Sequence, residues 1–234
     1  MKTVLLAGGR GVRLRPLTYS IPKPLLPVGE RPILELIIER LKGFGLVDVV
    51  IAVGYRAELI ETYFRDGSQL GVNIEYVREV EPLGTAGPLA LVRDQCSLEA
   101  DSSLLVMNGD LLTELDMREL IDAHERGDHD LTVVTREHEL ENPYGVIEHD
   151  GDRIVSIVEK PVVTYTVNAG VYVFRSSTLD LVPNDTVVDM PELMNLAVAA
   201  GRDVVGYAFD GPWLAIDRIE HLTEAMGVAT EADA

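Results

Sequence analysis

An arginine- and glycine-rich segment, LAGGRGVRLRPLT, occupies residues 6–18 of the chain. Its glycines allow backbone N–H groups to come close to phosphate oxygens, because no Cβ stands in the way. Over residues 10–31 a single acid, Glu30, faces five basic residues, namely Arg10, Arg13, Arg15, Lys23 and Arg31. The formal net charge of the whole chain is −19. Such a local cluster of positive charge indicates a site for a polyphosphate, the alternative being a glycine-rich turn with solvated arginines.

A proline-rich motif, IPKPLLPVGERPIL, follows at residues 21–34, and its prolines on either side of Lys23 restrict the backbone that carries the ammonium group. The later motifs are EPLGTAG at 81–87, NGD at 108–110, NPYG at 142–145, EKP at 159–161 and NAGVY at 168–172. In this order, and over nearly the whole chain, the motifs resemble those of the sugar-1-phosphate nucleotidyltransferases. The nearest branch is the one that resembles mannose-1-phosphate guanylyltransferase.

The resemblance implies a reaction that needs no general base. In this family the phosphate oxygen of a sugar 1-phosphate attacks the α-phosphorus of a nucleoside triphosphate in line, and pyrophosphate leaves. The nucleophile is already an anion, so catalysis requires positioning and charge neutralisation. By the resemblance, Arg13 binds the β- and γ-phosphates, Lys23 binds the α-phosphate, Lys160 receives the sugar phosphate, and Mg²⁺ is the cofactor.

The resemblance also implies a set of binding residues. Those expected at the nucleotide are Leu6, Ala7, Gly8, Gly9, Gly11, Glu81, Gly84, Thr85 and Asn108. Those expected at the sugar phosphate are Gly145, Glu159, Lys160, Asn168 and Gly170, and the expected metal ligands are Asp110 and Asp217. Purely structural roles are the alternatives for some of these residues. Glu159 and Lys160 could end a hairpin, and Asn168 could be a turn residue. Asp110 could cap a helix, although Asp116 fits the cap better.

Two positions depart from the family pattern. Val12 stands where a threonine is usual, and in GPWLAID, residues 211–217, Ala215 stands where the family has its second metal-binding aspartate. If this segment is extended, Ala215 and Asp217 point to the same side, and Asp217 is able to replace the missing ligand. The alternative is that Asp217 only caps the final helix.

The base preference rests on a carboxylate. Guanine presents adjacent N1–H and N2–H₂ donors, which a carboxylate complements, whereas uracil and thymine are better matched by an amide. Glu81 stands before PLGTAG, so we expect GTP to be the substrate. The alternative is that Glu81 points to solvent from a loop.

Composition limits the classes of partner. The chain has 234 residues, 47% of them hydrophobic, so a sizeable core is expected. A single cysteine excludes an internal disulfide framework, and the five scattered histidines are interpreted as ordinary surface or core residues. The acidic balance argues against nucleic acid and anionic membranes as partners.

The expected compartment is the cytoplasm, because the sequence shows neither a signal-peptide pattern nor a long apolar run. A homodimer is left open.

Alternating patterns predict an α/β fold with a doubly wound, mostly parallel sheet, a Rossmann-like core. Buried strands are expected at 3–7, 49–53, 72–77, 103–107 and 130–135, and helices from Pro32 and at 57–64, 116–127 and 190–201. From about residue 143 the pattern becomes strand-rich. We therefore expect one domain over residues 1–228, comprising a nucleotide-binding part (1–142), a sugar-phosphate-binding part (143–217) and a C-terminal helix (218–228), followed by a frayed tail (229–234).

Other functions stay open at this point. A glycosyltransferase also uses an aspartate after a strand, although it has no use for the arginine and lysine motifs of a triphosphate site. A nucleotidyltransferase for another base or a non-sugar phosphate fits the same motifs. A catalytically impaired, nucleotide-binding regulatory homologue is favoured by the departures at Val12 and Ala215.

Overall fold

The computed structural model describes residues 1–232, which form thirteen strands and six α-helices. The strands are β1 (Lys2–Ala7), β2 (Pro27–Val28), β3 (Arg31–Pro32), β4 (Asp48–Val53), β5 (Asn73–Arg78), β6 (Ser103–Asn108), β7 (Leu111–Thr113), β8 (Leu131–Glu141), β9 (Val146–Asp150), β10 (Arg153–Val158), β11 (Val162–Arg175), β12 (Val204–Ala208) and β13 (Trp213–Ala215). The helices are α1 (Ile33–Gly43), α2 (Ala57–Phe64), α3 (Pro88–Gln95), α4 (Met117–Gly127), α5 (Met190–Ala199) and α6 (Ile219–Ala232).

A seven-stranded sheet with the order β12-β8-β11-β6-β1-β4-β5 forms the centre of the fold. The pairings β6-β1, β1-β4, β4-β5 and β12-β8 are parallel, while β11 runs antiparallel to both β6 and β8. Three two-stranded sheets, β9-β10, β7-β13 and β2-β3, complete the strand structure of the described residues. The predicted mostly parallel α/β sheet is confirmed.

Helices cover both faces of the sheet. Successive side chains of β1 alternate between the two cores: Leu5 packs with residues of α1, α2, α4 and α6, whereas Val4 packs with residues of α3 and α5. This alternation is the period of a strand that is buried on both faces. The doubly wound arrangement is therefore confirmed, with a hydrophobic core on each side of the sheet.

Several element boundaries differ from the predictions. Pro32 is the N-cap of α1 and lies one residue before the helix, instead of occupying its first position. Three short 3₁₀ turns, two of which begin within the arginine-rich segment, and the β2-β3 pair precede α1. The helix α6 continues to Ala232, beyond the predicted end at residue 228, which is consistent with the helix propensity of its alanines. Residues 233–234 of the predicted tail lie outside the described residues.

The sequence patterns did not predict the shortest elements. The helix α3 and the strands β7, β12 and β13 have three to eight residues each, too few for a clear hydrophobic period. Strands β11 and β12, from the predicted sugar-phosphate-binding part, complete the same sheet as the strands of the nucleotide-binding part. The division at residue 142 stays a prediction.

No helix among the described residues is both long and apolar enough to cross a bilayer.

The N-terminus of α4 is capped by Asp116. The Oδ1 atom of Asp116 accepts hydrogen bonds from the backbone N–H groups of Arg118 (2.9 Å) and Glu119 (3.1 Å). Two of the helix's otherwise unpaired donors are thereby satisfied. Asp110 therefore does not cap α4, and its carboxylate is available for another role.

We predict that Asp116→Ala lowers the free energy of unfolding by about 1 kcal/mol, because the cap bonds are lost. Urea denaturation measures this change. Asp122→Ala, at an exposed position within the same helix, is the matched control and should change stability little. Equal stabilities of the two variants would contradict the capping role.

Candidate active site

The ends of three parallel strands bring the motif loops together. Ala7 of β1 pairs with Val53 of β4, and Leu6 pairs with Asn108 of β6, so the loops after these strands begin side by side. Ligands of open α/β sheets bind at this carboxyl edge. The structure therefore places the glycine-rich segment, residues 54–56 and the NGD motif in one region.

Glycines allow these loops to approach at backbone distance. A Cβ on Gly54 would lie 2.9 Å from the carbonyl oxygen of Gly8, and one on Gly109 would lie 2.8 Å from that of Leu6. Hydrogen bonds tie the same segments together, from Tyr55 N–H to Gly8 O (3.1 Å) and from Gly109 N–H to Leu6 O (2.9 Å). The floor of the site is thus built from closely packed backbone.

A cavity of about 300 Å³ opens where these loops meet. It is lined by Leu6, Ala7, Gly9, Gly11, Val12, Arg13, Lys23, Pro24, Gly109, Asp110 and Asp217. The structure thereby brings together both predicted catalytic cations, both predicted metal ligands and four of the predicted nucleotide-binding residues. Backbone N–H groups, cations and carboxylates in one cavity form an environment suited to a metal–polyphosphate ligand.

Two ion pairs cross this cavity. The Lys23 ammonium donates to the Asp110 carboxylate, and the Arg13 guanidinium donates to the Asp217 carboxylate. The Lys23 side chain is 13% exposed, whereas that of Arg13 is 68% exposed. Each cation is thus balanced by a carboxylate at the same site, and the Lys23 pair is the better shielded from water.

Asp217 faces the cavity, although the segment that carries it is not extended. Its N–H donates to the carbonyl oxygen of Ala215 (3.0 Å), so the chain turns at Ile216. The side chain of Ala215 packs against the hydrophobic core instead of lining the cavity. The condition of an extended segment is therefore not met, because the turn reorients the backbone between residues 215 and 217, yet Asp217 still lines the cavity.

His221, which we interpreted as an ordinary histidine, contacts the site. Its Nδ1 lies 2.8 Å from Asp217 Oδ1 and 2.8 Å from the carbonyl oxygen of Ala215. The two residues are four positions apart: Asp217 lies just before α6, and His221 lies in its first turn. Within a helix this spacing brings side chains together, and here it does so across the helix start. That spacing is the signal in the sequence that could have linked His221 to Asp217.

Glu79, rather than the predicted Glu81, is the carboxylate next to the glycine-rich loop. Glu79 Oε1 occupies the space that a Cβ on Gly8 would need, and Glu79 Oε2 accepts from Leu83 N–H (2.9 Å). Burial raises the pKa of Glu79, an effect that the Leu83 N–H partly opposes. Glu81 is exposed. Only Val80 lies between these two acids, and the sequence pattern could not distinguish them.

The other residues of the EPLGTAG motif have structural contacts. Gly84 has a φ of 80°, and a Cβ there would lie 2.5 Å from the carbonyl oxygen of Val188. The Thr85 hydroxyl accepts from the N–H of Met190 (2.7 Å), at the start of α5. The motif therefore packs against the N-terminus of α5, and the structure gives Thr85 a structural contact beside its predicted binding role.

The predicted sugar-phosphate residues lie on and around β9, β10 and β11. Gly170, at a φ of 77°, allows the Asn108 side chain to pack against its backbone, because a Cβ would lie 2.6 Å from Asn108 Nδ2. The Asn168 amide is held within β11, donating to the Tyr172 hydroxyl (2.6 Å) and accepting from Gly170 N–H (2.9 Å). Asn108 and Gly170 thus connect the NGD motif to β11.

Gly145 and Glu159 are also neighbours. A Cβ on Gly145 would lie 3.0 Å from Glu159 Oε2. Lys160, next in the chain, is exposed and has a φ of 45°. None of these three residues lines the 300 Å³ cavity. Their predicted contact with a sugar phosphate stays a prediction.

The site offers few protein ligands to a metal ion. No group of three or more His, Cys, Asp and Glu side chains in the described part of the chain is arranged to hold one. Asp110 and Asp217 nevertheless supply hard oxygen donors to the same cavity. The donor set fits a divalent ion that completes its coordination with water and ligand phosphates, as Mg²⁺ usually does.

A larger cavity of about 700 Å³ lies beside α1, α6 and the β7-β13 pair. Its walls are mostly apolar, and the Arg136 guanidinium lies 4.7 Å from the centre of the Trp213 ring. None of the glycines of the glycine-rich loop lines it. We therefore assign the candidate site to the smaller cavity, where the polar groups converge.

Comparisons with known proteins identify the family of the chain. The family model described as nucleotidyl transferase matches residues 2–231. A probable mannose-1-phosphate guanylyltransferase 1 from Oryza sativa subsp. japonica is 36% identical over 221 residues, covering 92% of this chain and 61% of the relative. A UTP–glucose-1-phosphate uridylyltransferase from Synechocystis sp. is 31% identical over 243 residues, covering 97% of this chain and 62% of the relative. The chain thus spans about three fifths of the length of these curated relatives.

A solved structure of similar fold is HddC from Yersinia pseudotuberculosis complexed with GMP-PN. It has a TM-score of 0.75 and 26% identity, and the match covers 97% of this chain and 99% of that chain.

We predict that Gly54→Ala destabilises the protein by about 1–3 kcal/mol, because its Cβ meets the backbone carbonyl of Gly8, which has little room to move. Gly9→Ala is the control, because no atom lies within 4 Å of a Cβ at Gly9. Chemical denaturation of both variants measures the difference. If Gly54→Ala were as stable as Gly9→Ala, the close packing of the loops would be refuted.

Proposed function

The chain belongs to the nucleotidyl transferase family, and from that premise we propose that it transfers a nucleotidyl group from GTP to a mannose-like sugar 1-phosphate, releasing pyrophosphate. The observation that carries the proposal is the convergence of Arg13, Lys23, Asp110 and Asp217 with the glycine-rich loop around one cavity. The names of relatives such as the one from Oryza sativa support the choice of sugar and base.

The proposed reaction balances without a protein nucleophile. An oxygen of the sugar 1-phosphate forms a bond to the α-phosphorus of GTP, and the bond from that phosphorus to the bridging oxygen of pyrophosphate breaks. Because the attacking oxygen is already negatively charged, no proton needs to be removed. The protein has to align the two phosphates and to stabilise the charge that develops between them.

Arg13 and Lys23 have the roles of charge neutralisation in this proposal. Lys23 binds the α-phosphate and is the better shielded of the two from water. Arg13 binds the β- and γ-phosphates. Both cations must leave their carboxylates to do so. A metal-bound triphosphate makes the exchange favourable, because it offers phosphates to the cations and a divalent ion to the carboxylates.

Asp110 and Asp217 would hold Mg²⁺, which supplies charge stabilisation at the phosphates when bound. With only two carboxylates in the cavity, much of the coordination would come from the nucleotide and water. We therefore propose that the metal binds together with the nucleotide. His221 orients Asp217 in this arrangement, through its Nδ1.

Guanine recognition is assigned to Glu79. Its carboxylate lies beside Gly8, within the region where the strand ends converge, and it retains an acceptor for the two donors that guanine presents. The sugar phosphate is assigned to the β9–β11 region, with Gly145, Glu159, Lys160, Asn168 and Gly170 as its contacts. The cytoplasm is the proposed compartment.

A regulatory, catalytically impaired homologue is the second candidate, favoured by Ala215. That residue turns into the core and carries no ligand atom, so the site depends on Asp217 in its place. A uridylyltransferase is the third, because the relative from Synechocystis sp. bears that name.

We predict that the purified protein with Mg²⁺ releases pyrophosphate from GTP in the presence of mannose 1-phosphate. A coupled pyrophosphate assay over the common nucleoside triphosphates and several sugar 1-phosphates tests this. Release with UTP and not GTP would replace the base assignment. If calorimetry shows nucleotide binding but no pair of nucleotide and sugar 1-phosphate releases pyrophosphate, the protein is the regulatory homologue.

We further predict that Glu79→Gln reduces kcat/KM for GTP by roughly tenfold to a hundredfold, equivalent to about 1–3 kcal/mol, because an amide accepts with only one of its two polar atoms. Glu81→Gln, at the exposed neighbouring acid, is the matched control and should leave kcat/KM unchanged. A loss of kcat/KM in Glu81→Gln and not in Glu79→Gln would assign base recognition to Glu81.

A further inference from the structure

Arg56 has a backbone conformation that is unusual for arginine. It precedes α2 with φ 54° and ψ 39°, in the left-handed region, which non-glycine residues adopt at a cost. Its side chain makes no cap hydrogen bond to the helix. Strain of this kind persists where surrounding contacts hold the residue in place, so the contacts of the guanidinium are informative.

The guanidinium of Arg56 reaches the arginine-rich loop. Its Nη2 donates to the carbonyl oxygen of Tyr19 (2.6 Å), and its Nε donates to the Tyr55 hydroxyl (3.0 Å). The Tyr55 hydroxyl in turn donates to the carbonyl oxygen of Thr18 (3.1 Å). Tyr55 and Arg56 therefore hold two consecutive carbonyls of the loop, and we call this pair the Tyr55–Arg56 clamp.

The held carbonyls belong to Thr18 and Tyr19, and Thr18 connects them to Gly11. The Thr18 hydroxyl donates to Gly11 O (2.8 Å). A Cβ on Gly11 would lie 2.9 Å from Thr18 Cγ2 and 3.2 Å from Lys23 Cβ. Contacts thus run from the clamp through Thr18 and Gly11 to the residue that carries the ammonium.

The loop needs an external support of this kind. Between Ala7 and α1 its regular structure consists of 3₁₀ turns of three residues each and the two-residue strands β2 and β3. Such short elements make few internal hydrogen bonds and do not hold a long segment rigid. Tyr55 is itself anchored, because its N–H donates to Gly8 O (3.1 Å) at the end of β1.

We propose that Tyr55 and Arg56 are positioning residues, which hold residues 11–23 so that Arg13 and Lys23 meet the triphosphate in the productive geometry. The proposal rests on the proposed function for its catalytic consequence. Neither side chain lines the cavity, so the effect passes through the loop backbone. An error of about 1 Å in the position of a charge-neutralising group is enough to reduce turnover by roughly a hundredfold.

The test uses Arg56→Gly, because glycine accepts the left-handed conformation while the guanidinium is lost. Arg65→Gly is a matched control: Arg65 also has a positive φ, 51°, and lies at the opposite end of the same helix. We expect Arg56→Gly to lower kcat by roughly tenfold to a hundredfold. The KM for the sugar 1-phosphate and the melting temperature should stay close to those of Arg65→Gly.

Two further measurements separate positioning from a general structural effect. Amide hydrogen exchange should become faster within residues 11–23 in Arg56→Gly and not in Arg65→Gly, because only the first change frees the loop. Arg56→Lys keeps a donor for Tyr19 O and should recover part of kcat. Tyr55→Phe should slow turnover as well, because its hydroxyl links both held carbonyls.

Unchanged kcat and unchanged exchange in Arg56→Gly would overturn the clamp. A loss of kcat with faster exchange throughout the protein would also overturn it, since the role would then be global stability. If the unaltered protein released no pyrophosphate, the proposed function would fail, while the exchange comparison would still decide whether the clamp holds the loop.

Discussion

The parallel pairing of β1 with β4 on one side and β6 on the other is the constraint on which the site depends. Because the three strands run in the same direction, their carboxyl ends lie at one edge of the sheet. The glycine-rich loop, the Tyr55–Arg56 clamp and the NGD motif all begin there. Gly54 and Gly109 then permit these segments to approach at backbone distance, which larger residues would prevent.

Charge compensation explains how so acidic a protein keeps Arg13 and Lys23 together at one cavity. The chain has a formal net charge of −19, and the cations at the cavity are partnered by Asp110 and Asp217. These pairs compensate the charges of the two cations, and an exposed pair such as that of Arg13 contributes little to stability. The proposed ligand, which combines phosphates with a divalent ion, would satisfy both halves of each pair at once.

The sequence patterns predicted the parts of the fold that repeat a simple period. The buried strands around β1 and the helix α2 were located nearly to the residue, and the order of motifs identified the family. The positions of Asp217 and Glu79 depend on single turns. A backbone hydrogen bond across Ile216 brings Asp217 to the cavity, and the loop after β5 places Glu79 beside Gly8 while Glu81 is exposed. Such turns arise from tertiary contacts, which periodicity does not report. The strained Arg56 left no signal in the sequence for the same reason.

A structure of the protein with Mg²⁺ and a non-hydrolysable GTP analogue tests the account most directly. We expect the triphosphate in the 300 Å³ cavity, with Lys23 released from Asp110 to contact the α-phosphate and Arg13 released from Asp217 to contact the β- and γ-phosphates. The guanine base should lie against Glu79. A nucleotide bound instead in the larger cavity beside Trp213, with both ion pairs intact, would contradict the assignment of the site.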